Sequence, residues 1–196
     1  IDSQVYRDDL VAMTIVSDNY KAGVLCAKEM MKQKKHANIV LLTHQAAKSA
    51  VDRINGFLDT IKGNKNYNIL ASADTQGQIE RSLPKVDKII EEYSNIDVVM
   101  ALNDPAAMGA LAALDSKDAR KGVLVYGIDG APEGKKLIKE GMMTGTAAQS
   151  PKQMADTAIN AAYQIFDGKK VPKKKVISVY MITKKNIEQT DISRWQ

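Results

Sequence analysis

The feature that most constrains the fold of this chain is a regular alternation of short aliphatic runs with longer amphipathic segments. The runs are AMTIVS, ANIVLLT, YNILASA, DVVMA, GVLVYGI and GTAAQ. Between them, apolar residues recur at the spacing of one helix face, as in Val51, Ile54, Phe57, Leu58 and Ile61. A repeat of about 25 to 30 residues is typical of parallel βαβ units. The pattern therefore predicts an α/β fold with a doubly wound parallel sheet, covered by helices on both faces.

Local signals mark where the predicted helices begin and end. Polar residues, two of them followed by proline, precede the helical segments at Asp18 or Asn19, Ser49, Asp104 and Ser150. Glycines suited to a left-handed helix end follow at Gly63, Gly141 and Gly168. After the last helix, VISVYMI predicts one final strand, followed by a polar tail that ends in DISRWQ.

Composition and charge exclude several classes of protein. With 44% hydrophobic residues the chain can build a core, and its one cysteine cannot form an internal disulfide. No run of eighteen apolar residues predicts a membrane-spanning helix. The net charge of +5 is spread along the chain, and the lysine clusters Lys32–Lys35 and Lys169–Lys175 fall at predicted helix ends and turns. Without stacking aromatics or a DNA-reading helix, we expect no nucleic-acid partner.

Known catalytic and cofactor motifs are also missing. The phosphate-binding patterns GxxxxGK[ST] and GxGxxG and the nucleophile motif GxSxG do not occur. His36 and His44 fall on different predicted elements, and Cys26 lies on an apolar helix face. We therefore expect no metal, no cofactor and no catalytic residue, although an α/β enzyme using Asp129 and Asn103 is an alternative.

Polar residues follow nearly every predicted strand. In an open α/β sheet, ligands bind outside the carboxyl ends of the strands. The residues at those ends are His44, Gln45, Asp74, Asn103, Asp104, Asp129 and Gln149. Carboxylates and amides of this kind suit sugar hydroxyls, which both donate and accept hydrogen bonds. The alternative is structural: Asn103 and Asp129 could cap the following helices, and Gln149 could be a polar strand end.

Several stretches resemble a known family. These are SDNYKAG, SAVDRINGF, ALNDPAAMGAL, YGIDGAPEG, GTAAQSPKQMA and ITKKNIEQTDISRW. Together they are similar to the ribose/galactose branch of the periplasmic sugar-binding proteins of ABC transporters, whose core also serves lac-repressor-type regulators. The resemblance implies two α/β lobes joined by three crossovers, with a sugar held in the cleft as the lobes close. It covers most of the second half of such a protein, so we expect most of the first lobe to be absent.

The resemblance also implies how the chain is divided. Residues 1–17 would be a remnant of the first lobe with the hinge, and 18–149 the complete second lobe. Residues 150–179 would be a helix and strand of the first lobe, and 180–196 a closing crossover and tail. The unpaired first-lobe segments would favour self-association.

Ligand-binding positions carry over by motif. Asp2 in IDS, Ser17 before the Asp-Asn pair, Asn103 in ALND, Asp129 in YGIDG and Gln149 in AAQSP match family positions that bind the sugar or form the hinge.

Two positions depart from the family pattern. Val51 stands where ribose binders have a ligand arginine, which leaves Arg53 as the candidate, and Thr75 replaces an aromatic that stacks on the sugar. Gln45 and Lys48 could supply polar contacts from the same loop.

The resemblance implies a function without covalent chemistry. We expect the solute-binding component of an ABC transporter, with a monosaccharide or similar polar ligand and a membrane permease as partners. The location would be periplasmic or extracellular, with a lipid anchor to the cell membrane as one form. The alternatives are the effector-binding core of a lac-repressor-type regulator and a sugar sensor for a membrane receptor. The tail ITKKNIEQTDISRW favours the transporter component over the regulator.

Overall fold

The structure is a computed structural model that describes residues 1–5 and 7–195. Within these residues the strands are β1 (Thr14–Ser17), β2 (Ala37–Thr43), β3 (Tyr67–Asp74), β4 (Val98–Ala101), β5 (Leu124–Asp129), β6 (Gly145–Ala148), β7 (Lys174–Ile177) and β8 (Tyr180–Thr183). The helices are α1 (Asn19–Gln33), α2 (Lys48–Ile61), α3 (Ile79–Glu92), α4 (Asp104–Ser116), α5 (Pro132–Glu140) and α6 (Pro151–Phe166). Short 3-10 helices span Asp8–Leu10 and Ile187–Gln189.

Six strands form the main sheet in the order β3-β2-β4-β5-β6-β8. All neighbours are parallel except β6 and β8, which are antiparallel. The chain moves outward from β2 to β3 and then returns past β2 to β4, so the order reverses between β2 and β4. The prediction of a doubly wound parallel sheet is confirmed, and this reversal is where such sheets open a crevice for ligands.

Alternate side chains of each central strand enter opposite cores. In β2, Ile39 and Leu41 pack with α1 and α2 on one face, while Val40 and Leu42 pack with α3, α4 and α5 on the other. Both faces of the strand are apolar because both are covered, which is why its sequence is an unbroken aliphatic run.

Helices α1 and α2 cross with their backbones in direct contact at Gly23 and Gly56. The helical spacing of Tyr20, Val24, Leu25 and Met31 predicts that they form the buried face of α1. In the structure four of the buried residues there are small, namely Ala22, Gly23, Cys26 and Ala27, and Met30 is buried beside them. A Cβ added at Gly23 would lie 1.8 Å from the Arg53 carbonyl oxygen, and one at Gly56 would lie 2.0 Å from that of Tyr20. Small residues let the two backbones touch, and this contact fixes Arg53 at the centre of the domain.

A smaller unit consists of β1, β7 and α6. Strands β1 and β7 pair in parallel, and Met154 of α6 packs on Ile15 and Ile177. Three connections join this unit to the main sheet: β1 to α1, β6 to α6, and β7 to β8. One predicted strand is different in the structure. VISVYMI is split between β7 and β8, which belong to different sheets because residues 178–179 cross from one to the other.

The observed helix starts differ from the predicted ones at two places. Helix α2 begins at Lys48 after Ala47, without a side-chain cap, rather than after Ser49. The cap of α4 is Asn103, not Asp104, because the Asn103 Oδ1 accepts a hydrogen bond from the Ala106 amide at 3.0 Å. In the part of the chain that the structure describes, no helix has the length and apolar character needed to cross a membrane.

Candidate ligand-binding cleft

A cavity of about 610 Å³ lies outside the carboxyl ends of the strands, between the main sheet and the smaller unit. From the main domain it is lined by Arg53, Asn103, Asp129 and Gln149, and from other parts of the chain by Asp2 and Met154 among others. Five of the six predicted site residues therefore meet in one cavity. The sixth, Ser17, is not part of its wall.

Arg53 is the central cation of the site. Its side chain is buried, with 8% of its area exposed, and the guanidinium donates three hydrogen bonds. Nε donates to Asn19 Oδ1 at 2.8 Å, while Nη1 donates to the Leu102 carbonyl at 2.9 Å and to Asp129 Oδ1 at 3.2 Å. The guanidinium thus ties together α1, the end of β4 and the end of β5, so it organises the cleft as well as lining it.

Gln149 connects this cation to the hinge. Its Nε2 donates to Asp129 Oδ1 at 2.7 Å, and its Oε1 accepts a hydrogen bond from Ser17 Oγ at 2.7 Å. Ser17 is 3% exposed. It therefore fixes the orientation of the Gln149 amide from behind the cavity wall.

Asp129 has the most constrained conformation in the cleft. Its φ is 143°, which residues with a side chain rarely adopt, and such strain is concentrated at functional sites. Both side-chain hydrogen bonds go to Oδ1, and among the described residues none is donated to Oδ2. Burial raises the pKa of Asp129, and the Asp2 carboxylate raises it further, against the opposite effect of Arg53 and Gln149. The Oδ2 oxygen is free to accept a hydrogen bond from a ligand.

Asn103 both caps a helix and lines the cavity. Its Oδ1 caps α4, which confirms the capping role predicted from sequence as the alternative to ligand binding. Its Nδ2 donates to the Gly77 carbonyl at 3.1 Å. The side chain nevertheless lines the cavity. Asp129, by contrast, does not cap α5, whose first residue follows Ala131 without a side-chain cap.

Asp104 lies beneath the site and braces it. The side chain is fully buried, with Oδ2 accepting from the Ala131 amide at 2.9 Å and Oδ1 from Thr146 Oγ1 at 2.7 Å. Burial, followed by repulsion from Asp129, raises the pKa of Asp104 to about 7. From sequence this residue was interpreted as a helix start and as a polar strand end, whereas in the structure it ties the loop after β5 to strand β6.

The two loop residues proposed for polar contacts, Gln45 and Lys48, do not line the cavity. Lys48 pairs with Asp52 at 3.3 Å on the surface. Thr75 is completely buried and is likewise outside the wall. Asp74, another strand-end residue, accepts hydrogen bonds from the amides of Gln45 and Gln76 and so shapes the loop.

Sequence reasoning missed two parts of the site. Asn19 orients Arg53, and the Asp-Asn pair after β1 was its only signal. Trp195 lines the cavity from the C-terminal tail, although nothing local in the sequence relates it to the strand ends. His44, one of the strand-end residues named from the sequence, lines the cavity as well.

The described residues contain no group of three or more His, Cys, Asp or Glu able to hold a metal ion. Cys26 is fully buried, and burial strongly raises the pKa of its thiol. What the cleft offers is a set of hydrogen-bonding groups arranged around a space for a small molecule, namely the carboxylates of Asp2 and Asp129, the amides of Asn103 and Gln149 and the guanidinium of Arg53.

Comparison with known proteins identifies the family. Residues 1–170 match the family model described as a periplasmic binding protein domain. The chain belongs to this family. The sequence interpretation is thereby confirmed at the level of family and fold.

Two relatives of this chain have names that refer to sugars. The ribose import binding protein of Salmonella typhimurium is 30% identical over 186 residues, covering 94% of this chain and 62% of that protein. An ABC transporter solute-binding protein of Actinobacillus succinogenes, solved with bound D-allose, is 26% identical with a TM-score of 0.85, covering 89% of this chain and 63% of the other. These relatives are binding proteins, in agreement with the expectation that the chain is not an enzyme.

A third structure supports the fold alone. A solute-binding protein of Bacillus halodurans with bound myo-inositol superposes with a TM-score of 0.89 at 22% identity, covering 96% of this chain and 66% of that one. The chain thus spans a little under two thirds of the length of each of these three proteins.

Proposed function

We propose that this chain belongs to the sugar-binding component of an ABC importer and that its cleft takes a monosaccharide or a similar small polar ligand. The observation that carries the proposal is the arrangement of Asp129. Its carboxylate is held through one oxygen by Arg53 and Gln149 in a strained backbone conformation, while the other oxygen has no donor among the described residues.

The chemistry of the cleft favours a neutral polyhydroxylated ligand. A sugar hydroxyl can donate to the Asp129 carboxylate and accept from an amide such as that of Gln149 or Asn103. The buried guanidinium is already neutralised by Asp129 at 3.2 Å, so the site offers little free positive charge to an anionic ligand. The names of the ribose and allose relatives support the same ligand class.

The mechanism we propose is hinge closure without covalent chemistry. Asp2 and Met154 line the cavity from the side of the smaller unit, opposite Asp129 and Asn103. A ligand that contacts both sides would stabilise the closed arrangement through its differential affinity for it. Ser17 then acts as a positioning residue, since its hydroxyl holds Gln149 across two of the three connections.

The division into lobes follows from the same proposal. Residues 18–149 form the second lobe, 1–17 and 150–179 belong to the first, and 180–196 close the second lobe. The apolar side chains of α6 that are exposed in this chain, including Tyr163 at 67% and Phe166 at 83%, would be covered by the remainder of the first lobe. Without that cover, we expect the chain to self-associate.

The partners and location are part of the proposal as well. The ligand-loaded protein would dock on a membrane permease from the periplasmic or extracellular side, either free or held by a lipid anchor. The names of the relatives favour this role over that of a transcription regulator.

Ligand-observed saturation-transfer NMR tests the proposal on the purified chain. D-ribose, D-allose and D-fucose would be offered at millimolar concentration, with acetate and glycine as controls of other chemistry. We expect binding of at least one sugar and of neither control. The Asp129→Asn variant should lose the sugar signal, whereas the exposed Asp156→Asn variant should keep it. Absence of any sugar signal, or its persistence in Asp129→Asn, would contradict the proposed function.

A further inference from the structure

The cleft has an aromatic wall that comes from an unexpected part of the chain. Trp195 is the single tryptophan of the sequence, and of the described Phe, Tyr and Trp residues it alone lines the cavity. Its side chain is 45% exposed, so the indole is accessible. Thr75, at the position where the resemblance implies a stacking aromatic, is fully buried and does not line the cavity.

A buried cation fixes the tail that carries Trp195. Lys135 of α5 is fully buried, and its Nζ donates to the backbone carbonyls of Asp191 at 2.6 Å and Arg194 at 2.5 Å. A buried ammonium is costly unless it is hydrogen-bonded, so these carbonyls cannot leave without a penalty. The tail is therefore anchored one residue before Trp195.

Further contacts make the anchored segment compact. Asp191 Oδ1 accepts hydrogen bonds from the Ser193 amide at 2.9 Å and hydroxyl at 2.6 Å, and Arg194 Nε pairs with Asp191 Oδ2 at 2.7 Å. Ile192 packs on the core beside α5. These contacts set the path of the backbone that leads to Trp195.

The cavity therefore combines two kinds of wall. Asp129, Asn103 and Gln149 supply hydrogen bonds, and Trp195 supplies an apolar, rigid face. Ligand pockets commonly pair a few placed polar groups with aromatic surface. A sugar ring has hydroxyls at its edge and C–H groups on its faces, so it matches both walls at once, whereas an open-chain polyol presents no ring face.

We propose that Trp195, positioned by Lys135 through the carbonyls of Asp191 and Arg194, forms the stacking wall of the ligand site and selects cyclic sugars over open-chain polyols. The inference rests on the proposed function and adds to it a specificity-determining residue and a positioning residue.

Because Trp195 is the only tryptophan, its fluorescence reports directly on the site. The purified chain would be titrated with D-ribose, D-allose and D-fucose, and with the alditol of whichever sugar binds best. We expect a saturable change in Trp195 emission with the sugar and weaker binding of the alditol. Trp195→Ala should weaken sugar binding about ten-fold by ligand-observed NMR, while Trp195→Phe should stay close to wild type.

The role of Lys135 has its own measurement. Lys135→Met retains much of the side-chain volume and loses the two hydrogen bonds, so Trp195 should become more accessible to acrylamide quenching, with sugar binding reduced as in Trp195→Ala. Because Lys135 is buried, Lys135→Met could unfold the chain. Trp195 is exposed, so Trp195→Ala tests the stacking role without that risk. Trp195→Ala with unchanged affinity would overturn the inference and leave the proposed function standing. Failure of the wild-type chain to bind any of the sugars would overturn the proposed function and this inference with it.

Discussion

The Arg53 guanidinium lies 3.2 Å from the Asp129 carboxylate in a pair that joins helix α2 to strand β5 at the base of the cleft. The side chains are 8% and 15% exposed. The pair is therefore largely removed from solvent, and each charge depends on the other.

Breaking this pair from one side should destabilise the fold. Arg53→Met leaves Asp129 buried without its cation, and we expect a loss of about 3 kcal/mol in the free energy of unfolding. The double variant Arg53→Met/Asp129→Asn should lose less than the sum of the two single variants. Urea denaturation measures all three. Additive losses would contradict the coupling, and the exposed pair Lys152 with Asp156 is the control, where neither Lys152→Met nor Asp156→Asn should have a measurable effect.

The close contact of α1 with α2 should not tolerate a methyl group. In Gly23→Ala the new Cβ would meet the backbone carbonyl of Arg53, which cannot rotate away as a side chain can. We expect a loss of about 1–3 kcal/mol in the free energy of unfolding. Weaker sugar binding should accompany it, because α2 carries Arg53. Lys28→Ala, on the exposed face of the same helix, is the control, and equal stability of the two variants would contradict the packing argument.

Asp104 should make stability depend on pH. Its pKa is raised from 3.8 to about 7, so the folded state binds the proton more tightly than the unfolded state. The contribution of Asp104 to the free energy of unfolding is therefore largest below about pH 4 and is lost as the pH rises to about 7. The loss is about 1.4 kcal/mol for each unit by which the folded pKa exceeds the unfolded one. Asp104→Asn should flatten this fall while the exposed Asp167→Asn does not. Urea denaturation across this pH range is the measurement, and an unchanged slope in Asp104→Asn would refute the assignment.

The chain should associate through the apolar face of α6. Ile159, Tyr163 and Phe166 follow one another at helical spacing and are 57%, 67% and 83% exposed. Sedimentation velocity should therefore show association that increases with concentration and is reduced in the double variant Ile159→Lys/Phe166→Ser. Leu83→Ser, at an exposed site on α3, should not reduce it. A wild-type chain that stays monomeric at every concentration would disprove this expectation.

The main sheet could be predicted because its strands are covered on both faces. Continuous aliphatic runs such as ANIVLLT are recognisable without any tertiary information, and the structure places β2 on that run. The break between β7 and β8 could not be seen, since both halves of VISVYMI are equally apolar and differ only in the sheet they join. The small buried face of α1 was missed for a related reason. Hydrophobic spacing favours large residues, whereas close backbone contact selects Gly23 and Ala27.

The cleft could be predicted where strand topology alone brings residues together. Asn103, Asp129 and Gln149 lie at the carboxyl ends of the neighbouring parallel strands β4, β5 and β6 and therefore meet at one edge. Trp195 lies in a tail whose position depends on a buried lysine 60 residues earlier, and no local pattern encodes such a contact. The role of Asp104 was hidden in the same way, because its partners lie far along the chain, Ala131 in the loop after β5 and Thr146 in strand β6.

The pairing of β1 with β7 has a consequence for the order of folding. Thr14 pairs with Lys174 and Ser17 with Ile177, so β1 cannot pair until β7, which comes much later in the chain, has been made. The edge of β6 likewise stays open until β8 has been translated. Contacts so distant in sequence form slowly and leave apolar strands exposed meanwhile. On the ribosome, the sheet from β2 to β6 can assemble early, whereas the cleft is completed only after the segment that carries Trp195 has been made.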